Sequence, residues 1–176
     1  MVFKENLPRL VIGAPRGQSG KTTITLGLLG ALQFKGFKVQ PFKKGPDYID
    51  AGWMTAVSQR ICRNLDCFLL KNEALLKTFV DGSKGADISI VEGAMGFYDG
   101  LDQKGSGSTA QIAKILQAPT VLVIDCKRAT RSIAATVMGF QNFDPEVNIV
   151  GVILNNIATV RQKKMIESCI KEYCNL

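Results

Sequence analysis

Leu10-Val11-Ile12-Gly13-Ala14-Pro15-Arg16-Gly17-Gln18-Ser19-Gly20-Lys21-Thr22-Thr23 is the stretch on which the fold turns. An apolar, β-branched run over 10–14 passes through a glycine-bearing turn into a helical pattern over 21–35. The turn nearly matches G-x-x-x-x-G-K-[ST], with Pro15 where the first glycine usually stands. Gly17 and Gly20 let successive backbone N–H groups, those of Gln18 and Ser19 among them, converge on phosphate oxygens without a Cβ in the way. The helix that follows, opening at Lys21-Thr22-Thr23, presents unsatisfied N–H groups and its positive dipole end to an anion. Lys21 can reach the β- and γ-phosphates of a nucleotide, and the Thr22 hydroxyl can ligate Mg²⁺. A turn that merely joined a strand to a helix would not need the Gly-Lys-Thr triplet. Arg16 has two readings, a further charge on a phosphate (across a dimer, in one version) or a solvated surface arginine.

Outward from this loop, apolar runs bounded by turn residues predict strands at 10–14, 39–42, 88–91, 120–124 and 149–154. Continuous apolar runs of this kind suit strands buried on both faces. Helical patterns lie between and after them, at 21–35, 51–58, 72–81, 108–116, 131–139 and 160–172. Strand-then-helix alternation predicts an α/β, P-loop NTPase-like fold, a mostly parallel sheet with helices on both faces. No internal repeat or linker divides the 176 residues, so one domain over 1–176 is expected.

Composition narrows the function classes. Hydrophobic residues make up 46% and charged residues 21%, a globular balance. No apolar run approaches the ~20 residues that span a bilayer. Met1-Val2-Phe3-Lys4-Glu5-Asn6 lacks the apolar core and cleavage site of a signal peptide, so a cytoplasmic chain is expected. There is no histidine, and the five cysteines (Cys62, Cys67, Cys126, Cys169, Cys174) form no C-x-x-C pair. Zinc sites, imidazole bases and a cysteine nucleophile are therefore not expected. The net charge of +7 is scattered through the chain, which fits an anionic small ligand better than nucleic acid or membrane.

Ligands of an open parallel sheet bind beyond the carboxyl ends of its strands. Two acid-bearing segments emerge at that edge beside the loop: Phe42-Lys43-Lys44-Gly45-Pro46-Asp47-Tyr48-Ile49-Asp50, and Val91-Glu92-Gly93-Ala94-Met95-Gly96-Phe97-Tyr98-Asp99-Gly100. Mg²⁺ takes one or two carboxylates plus phosphates and waters, so Asp47 and Glu92 are candidate ligands with Thr22.

These stretches, with Arg63-Asn64-Leu65-Asp66, Gly107-Ser108-Thr109-Ala110, Ala118-Pro119, Asp125 and Gly151-Val152-Ile153-Leu154-Asn155, resemble the cobyrinic acid a,c-diamide synthase family. Its P-loop superfamily also holds dethiobiotin synthetase and the partitioning ATPases. The likeness runs along nearly the whole chain, in order, and covers the synthetase domain only. It implies ATP- and Mg²⁺-dependent amidation of side-chain carboxylates on an acidic tetrapyrrole, through an acyl phosphate. By the family's pattern, Lys21 and Lys43 neutralise phosphate charge while Thr22, Asp47 and Glu92 hold Mg²⁺. Tyr48, Asp50 and Asp99 face the reacting carboxylate or the intermediate, and Asn155 meets the adenine edge. Arg63 and Asn64 bind the tetrapyrrole's acid side chains, a guanidinium fork being suited to carboxylates.

Two departures stand out. The family's Tyr-His pair after Asp50 reads Trp53-Met54 here, and Trp53 either stacks on a flat macrocycle or packs at an interface. Family members continue into a glutaminase domain that is expected to be absent here, so ammonia is free or comes from a separate glutaminase subunit. The resemblance further implies a homodimer. A competing reading is a nucleotide-switched ATPase that dimerises and binds DNA or membrane, favoured by Arg16 and the basic charge. Sedimentation with and without ATP, plus a DNA pull-down, separates the two. A dethiobiotin-synthetase-like enzyme ranks third, because 47–50 and 63–66 do not support it.

Overall fold

The computed structural model describes residues 7–176; Met1-Val2-Phe3-Lys4-Glu5-Asn6, read above for leader features, lies outside the described residues. Strands and helices alternate throughout. The order is β1 (Arg9–Gly13), α1 (Lys21–Phe34), β2 (Val39–Lys44), α2 (Tyr48–Ser58), β3 (Arg63–Leu65) and α3 (Asn72–Ser83). It continues with β4 (Ile88–Glu92), α4 (Thr109–Leu116), β5 (Thr120–Asp125), α5 (Ser132–Phe143), β6 (Ile149–Asn155) and α6 (Val160–Cys174). The six strands form one sheet in the order β3-β2-β4-β1-β5-β6, and every pairing is parallel. Alternation along the strands divides the core. Val11, Val91 and Leu122 face α3–α6, whereas Ile12, Ile90 and Val123 face α1 and α2. Helices on both faces explain why these strands read as unbroken apolar runs.

The sixth strand, β3, was not among the expected five. Only Leu65 of its three residues is buried, so it shows neither alternation nor an apolar run, and its pairing with β2 decides it. Helix α2 starts at Tyr48, three residues before the expected 51. The Asp47 side chain accepts from the N–H groups of Ile49 and Asp50, satisfying donors that a first turn leaves free. Ser108 and Thr159 cap α4 and α6 in the same way. Helix α1 differs, since Gly20 at its N-cap is left-handed and supplies no side-chain cap. Its first N–H groups therefore stay available to an anion.

Strand β1 lies inside the sheet, and the chain leaves it first toward β2 and β3 and later toward β5 and β6. That reversal opens a crevice at the carboxyl end of β1, where the glycine-bearing loop sits. Among the described residues no helix is long and apolar enough to cross a membrane.

All five cysteines are free thiols. Burial pushes Cys62 up to about 12 and Cys126 up to about 11, which leaves about one thiolate in a thousand or fewer near pH 8. The native chain should therefore leave both thiols unmodified by iodoacetamide under those conditions, and both should react once urea unfolds it. Rapid labelling of either in the native state would contradict this packing.

Candidate functional site

Register builds the site. Lys43 of β2 and Glu92 of β4 are direct neighbours across the parallel ladder, and Glu92 is also the neighbour of Ile12 in β1. Two strand ends thus bring an ammonium and a carboxylate together beside the loop that follows β1. Lys43 Nζ donates to Glu92 Oε1 at 3.0 Å and to Asp50 Oδ2 at 2.6 Å. The Thr22 hydroxyl lies 2.6 Å from Glu92 Oε1 and 3.3 Å from Asp50 Oδ2. Lys43 is 3% exposed and Glu92 is fully buried, and Glu92 Oε2 has no hydrogen-bond partner among the described residues. This is the convergent core of the site.

Asp47, read from the sequence as a ligand beside Thr22, stands farther back. Its Oδ1 caps α2, and its Oδ2 is 3.8 Å from Lys43 Nζ. Asp50, one helical turn on, is the carboxylate that reaches Thr22. Capping decides this, because the N-cap position holds Asp47 at the helix end and turns Asp50 inward.

The loop itself is tightly tied. Ser19 is buried and its hydroxyl donates to the Arg16 carbonyl at 3.0 Å. Lys21 Nζ folds over the loop and donates to the carbonyls of Met95 at 2.8 Å and Arg16 at 3.2 Å. Gln18 and Gly20 have positive φ, and a Cβ on Gly20 would collide with the Asn155 amide. Gly17 has open space around it, and Thr23 is exposed on the first turn of α1. Asn155, expected at the adenine edge, donates its amide to the Ser19 carbonyl at 3.0 Å and so braces the loop. Arg16, open to two readings, is exposed and paired with Asp125 Oδ2 at 3.0 Å.

The remaining candidates spread along the same edge. Asp99 Oδ2 accepts from Gly96 N–H at 3.0 Å, and a Cβ on Gly96 would sit 2.8 Å from the Pro15 carbonyl. That glycine lets the β4–α4 connection lie flat against the phosphate loop. Tyr48 is 81% exposed at the start of α2. Arg63 is exposed on edge strand β3, with its stem beside Gly82 of α3. Asn64 donates to the carbonyls of Gly45 at 2.6 Å and Asp47 at 2.9 Å, so its amide nitrogen pins the β2–α2 turn. Sequence reasoning missed Met95, because a carbonyl presented by a left-handed residue (φ 58) leaves no mark in residue type.

Electrostatics follow burial and pairing. Burial lowers Lys21, against the opposing pull of Glu92 and other carboxylates. Burial would lower Lys43 as well, but Glu92 and Asp50 outweigh it and its net shift is upward. Burial raises Glu92, with Lys43 and Thr22 opposing. Asp50 is lowered, because Lys43 and Thr22 overcome the effect of burial. The oxygens able to hold a hard cation are those of Thr22, Glu92, Asp50 and Asp47. Among the described residues no three His, Cys, Asp or Glu side chains form a ready metal cage. A cation here would take much of its shell from phosphate and water, as Mg²⁺ commonly does.

The family model described as the CobQ/CobB/MinD/ParA nucleotide binding domain matches residues 10–175. The chain belongs to this family. As a CobQ/CobB/MinD/ParA-type nucleotide-binding domain, it is similar to the cobyrinate a,c-diamide synthase of Magnetococcus marinus, 49% identical over 168 residues. That match covers 96% of this chain and 36% of the relative. The hydrogenobyrinate a,c-diamide synthase of Streptomyces coelicolor is 48% identical over 165 residues, covering 93% of this chain and 34% of the relative. The domain thus spans about a third of the length of these relatives. Chloroplast FtsY from Physcomitrella patens shares the fold, with a TM-score of 0.62 at 14% identity, covering all of this chain and 58% of the other. FtsY from Mycoplasma mycoides is similar at a TM-score of 0.58 and 19% identity, covering 98% of this chain and 58% of the other.

Proposed function

We propose that residues 1–176 form the synthetase domain of an amidotransferase, using Mg·ATP to activate side-chain carboxylates of a cobyrinate-like tetrapyrrole for amidation. The observation that carries this is the buried Lys43–Glu92 pair, joined to half-buried Asp50 and to the Thr22 hydroxyl. A nucleotide switch needs a phosphate loop and a metal site; a second buried lysine beside them suits a site where a phosphoryl group meets a carboxylate. The names of the relatives agree with this reading.

Glu92 Oε2, buried and unpartnered among the described residues, is an oxygen that a hard cation would satisfy, so the residues present fit Mg²⁺. In this reading Thr22, Glu92 and Asp50 hold the ion, with Asp47 behind them. Bound Mg²⁺ would supply charge neutralisation on the phosphates. The N–H groups over 17–23 and Lys21 bind the triphosphate, Lys21 exchanging its carbonyl partners for phosphate oxygens. Asn155 meets the adenine once the loop is filled, and Arg16 lies at the rim.

A substrate carboxylate oxygen attacks the γ-phosphorus, the bond to the bridging oxygen breaks, and ADP leaves. Lys43 neutralises the transferring group, which is the larger part of what such a reaction asks of a protein. Ammonia then attacks the acyl carbon, phosphate departs, and a proton is lost from nitrogen. Asp99, Asp50 and Tyr48 line the acceptor's approach, with Arg63 and Asn64 farther out. The ammonia is taken from solution or delivered by a glutaminase. The domain works as a homodimer in the cytoplasm and needs neither nucleic acid nor membrane.

The test supplies the chain with Mg·ATP, isotopically labelled ammonium and either cobyrinate or hydrogenobyrinate. Labelled amide in the tetrapyrrole, and carboxylate oxygen recovered in phosphate, are the expected results. ATP turnover indifferent to every tetrapyrrole acid, with no amide formed, would sink the reading.

A further inference from the structure

Three large apolar side chains in the connections after β3 and β4 face solvent: Phe68, 75% exposed, Met95, 66%, and Leu101, 69%. Isolated exposed apolar residues are ordinary, but these three come from two connections and line one concavity of about 630 Å³. Their exposure is built in. Asp66 accepts from the N–H groups of Phe68 at 2.7 Å and Leu69 at 3.2 Å, which fixes the β3–α3 turn. Leu101 N–H donates to the Ser106 carbonyl at 2.8 Å, and the Asp102 carboxylate ties the turn between them through Lys104 and Ser106. Met95 is held left-handed, with its carbonyl on Lys21. Asp99 also lines the concavity, and Lys44, next in sequence to Lys43, stands on its wall.

We propose that Phe68, Met95 and Leu101 form an apolar jaw that grips the ring body of the acceptor and favours it over acids that carry no ring. This rests on the carboxylate activation proposed above and adds the element that selects the acceptor. A space of this size suits a drug-sized body and far exceeds what a lone carboxylate fills. Lys44 on the wall attracts the ring's remaining acid groups. Met95 touches both the ring and, through its carbonyl, the phosphate lysine, so a seated ring is registered against the site of phosphoryl transfer.

The test compares the parent chain with Phe68→Ala, Leu101→Ala and the double variant. Each is titrated with cobyrinate, with uroporphyrin as a second ring acid, with glutarate as a ringless acid, and with Mg·ATP. Each single variant should weaken ring-acid binding about tenfold, and the double variant more, with Mg·ATP affinity and melting temperature at parent values. Glutarate should bind feebly and equally to all four chains. Ring-acid affinity unchanged in the variants overturns the jaw while leaving carboxylate activation standing. Jaw-dependent binding of uroporphyrin alone upholds the jaw and overturns cobyrinate as the acceptor. Binding of no ring acid by the parent overturns both.

Discussion

A Lys43→Ala chain should unfold at a lower urea concentration than its parent, with about 3–5 kcal/mol of stability lost near neutral pH. Lys43 is 3% exposed, and its ammonium is the cation beside fully buried Glu92. Its removal strands a carboxylate that cannot reach water. The pH dependence carries a definite sign. Burial already raises Glu92, and without Lys43 it rises further. A carboxyl raised in the folded state favours folding below its ordinary range and opposes it as pH climbs through the raised value. The loss should therefore grow with pH and shrink toward acid, where Glu92 takes up a proton. Adding Glu92→Gln to the lysine variant should recover part of the stability, because no stranded charge remains. A loss below about 1 kcal/mol, the scale of a surface pair, with no pH dependence would show that the cluster is not held as described.

Lys21→Met should leave stability nearly unchanged and act on catalysis. ATP turnover should fall about a thousandfold, the scale on which preorganised charge at a transferring phosphoryl group acts. Stability should stay within about 1 kcal/mol of the parent, or exceed it, as is common where a site holds a group for function. Burial lowers Lys21, and its ammonium rests on two carbonyl oxygens, with no carboxylate of the described residues in direct contact. Folding thus holds this charge at a cost, where it holds that of Lys43 against Glu92 and Asp50. ADP release and urea titration on one preparation test both halves. Retained turnover with a large loss of stability would reverse the assignment.

Much was legible in residue order because local chemistry repeats wherever it is needed. Gly17, Gly20, Lys21 and Thr22 announced a phosphate loop, since few other purposes require that spacing after a strand. Continuous apolar runs announced strands covered on both faces, and the sheet is parallel throughout. Glu92 could be placed beside the loop because strand ends in such a sheet share one edge. What stayed hidden depended on partners distant along the chain. Three residues of β3 become a strand only by pairing with β2, and the N-cap role of Asp47 is what sends Asp50 to Thr22. Met95 enters through a carbonyl and a backbone angle, neither of which its side chain encodes.

The sequence alone determined that this is a nucleotide-binding α/β chain with its acids gathered at one sheet edge, because periodicity and glycine spacing act over short range. Only the tertiary structure decided which acid meets Thr22, where Asn64 and Asn155 spend their amides, and which apolar side chains stay in the open. Those outcomes depend on strand register and loop closure, where a shift of one residue re-aims a side chain from the site to the opposite face.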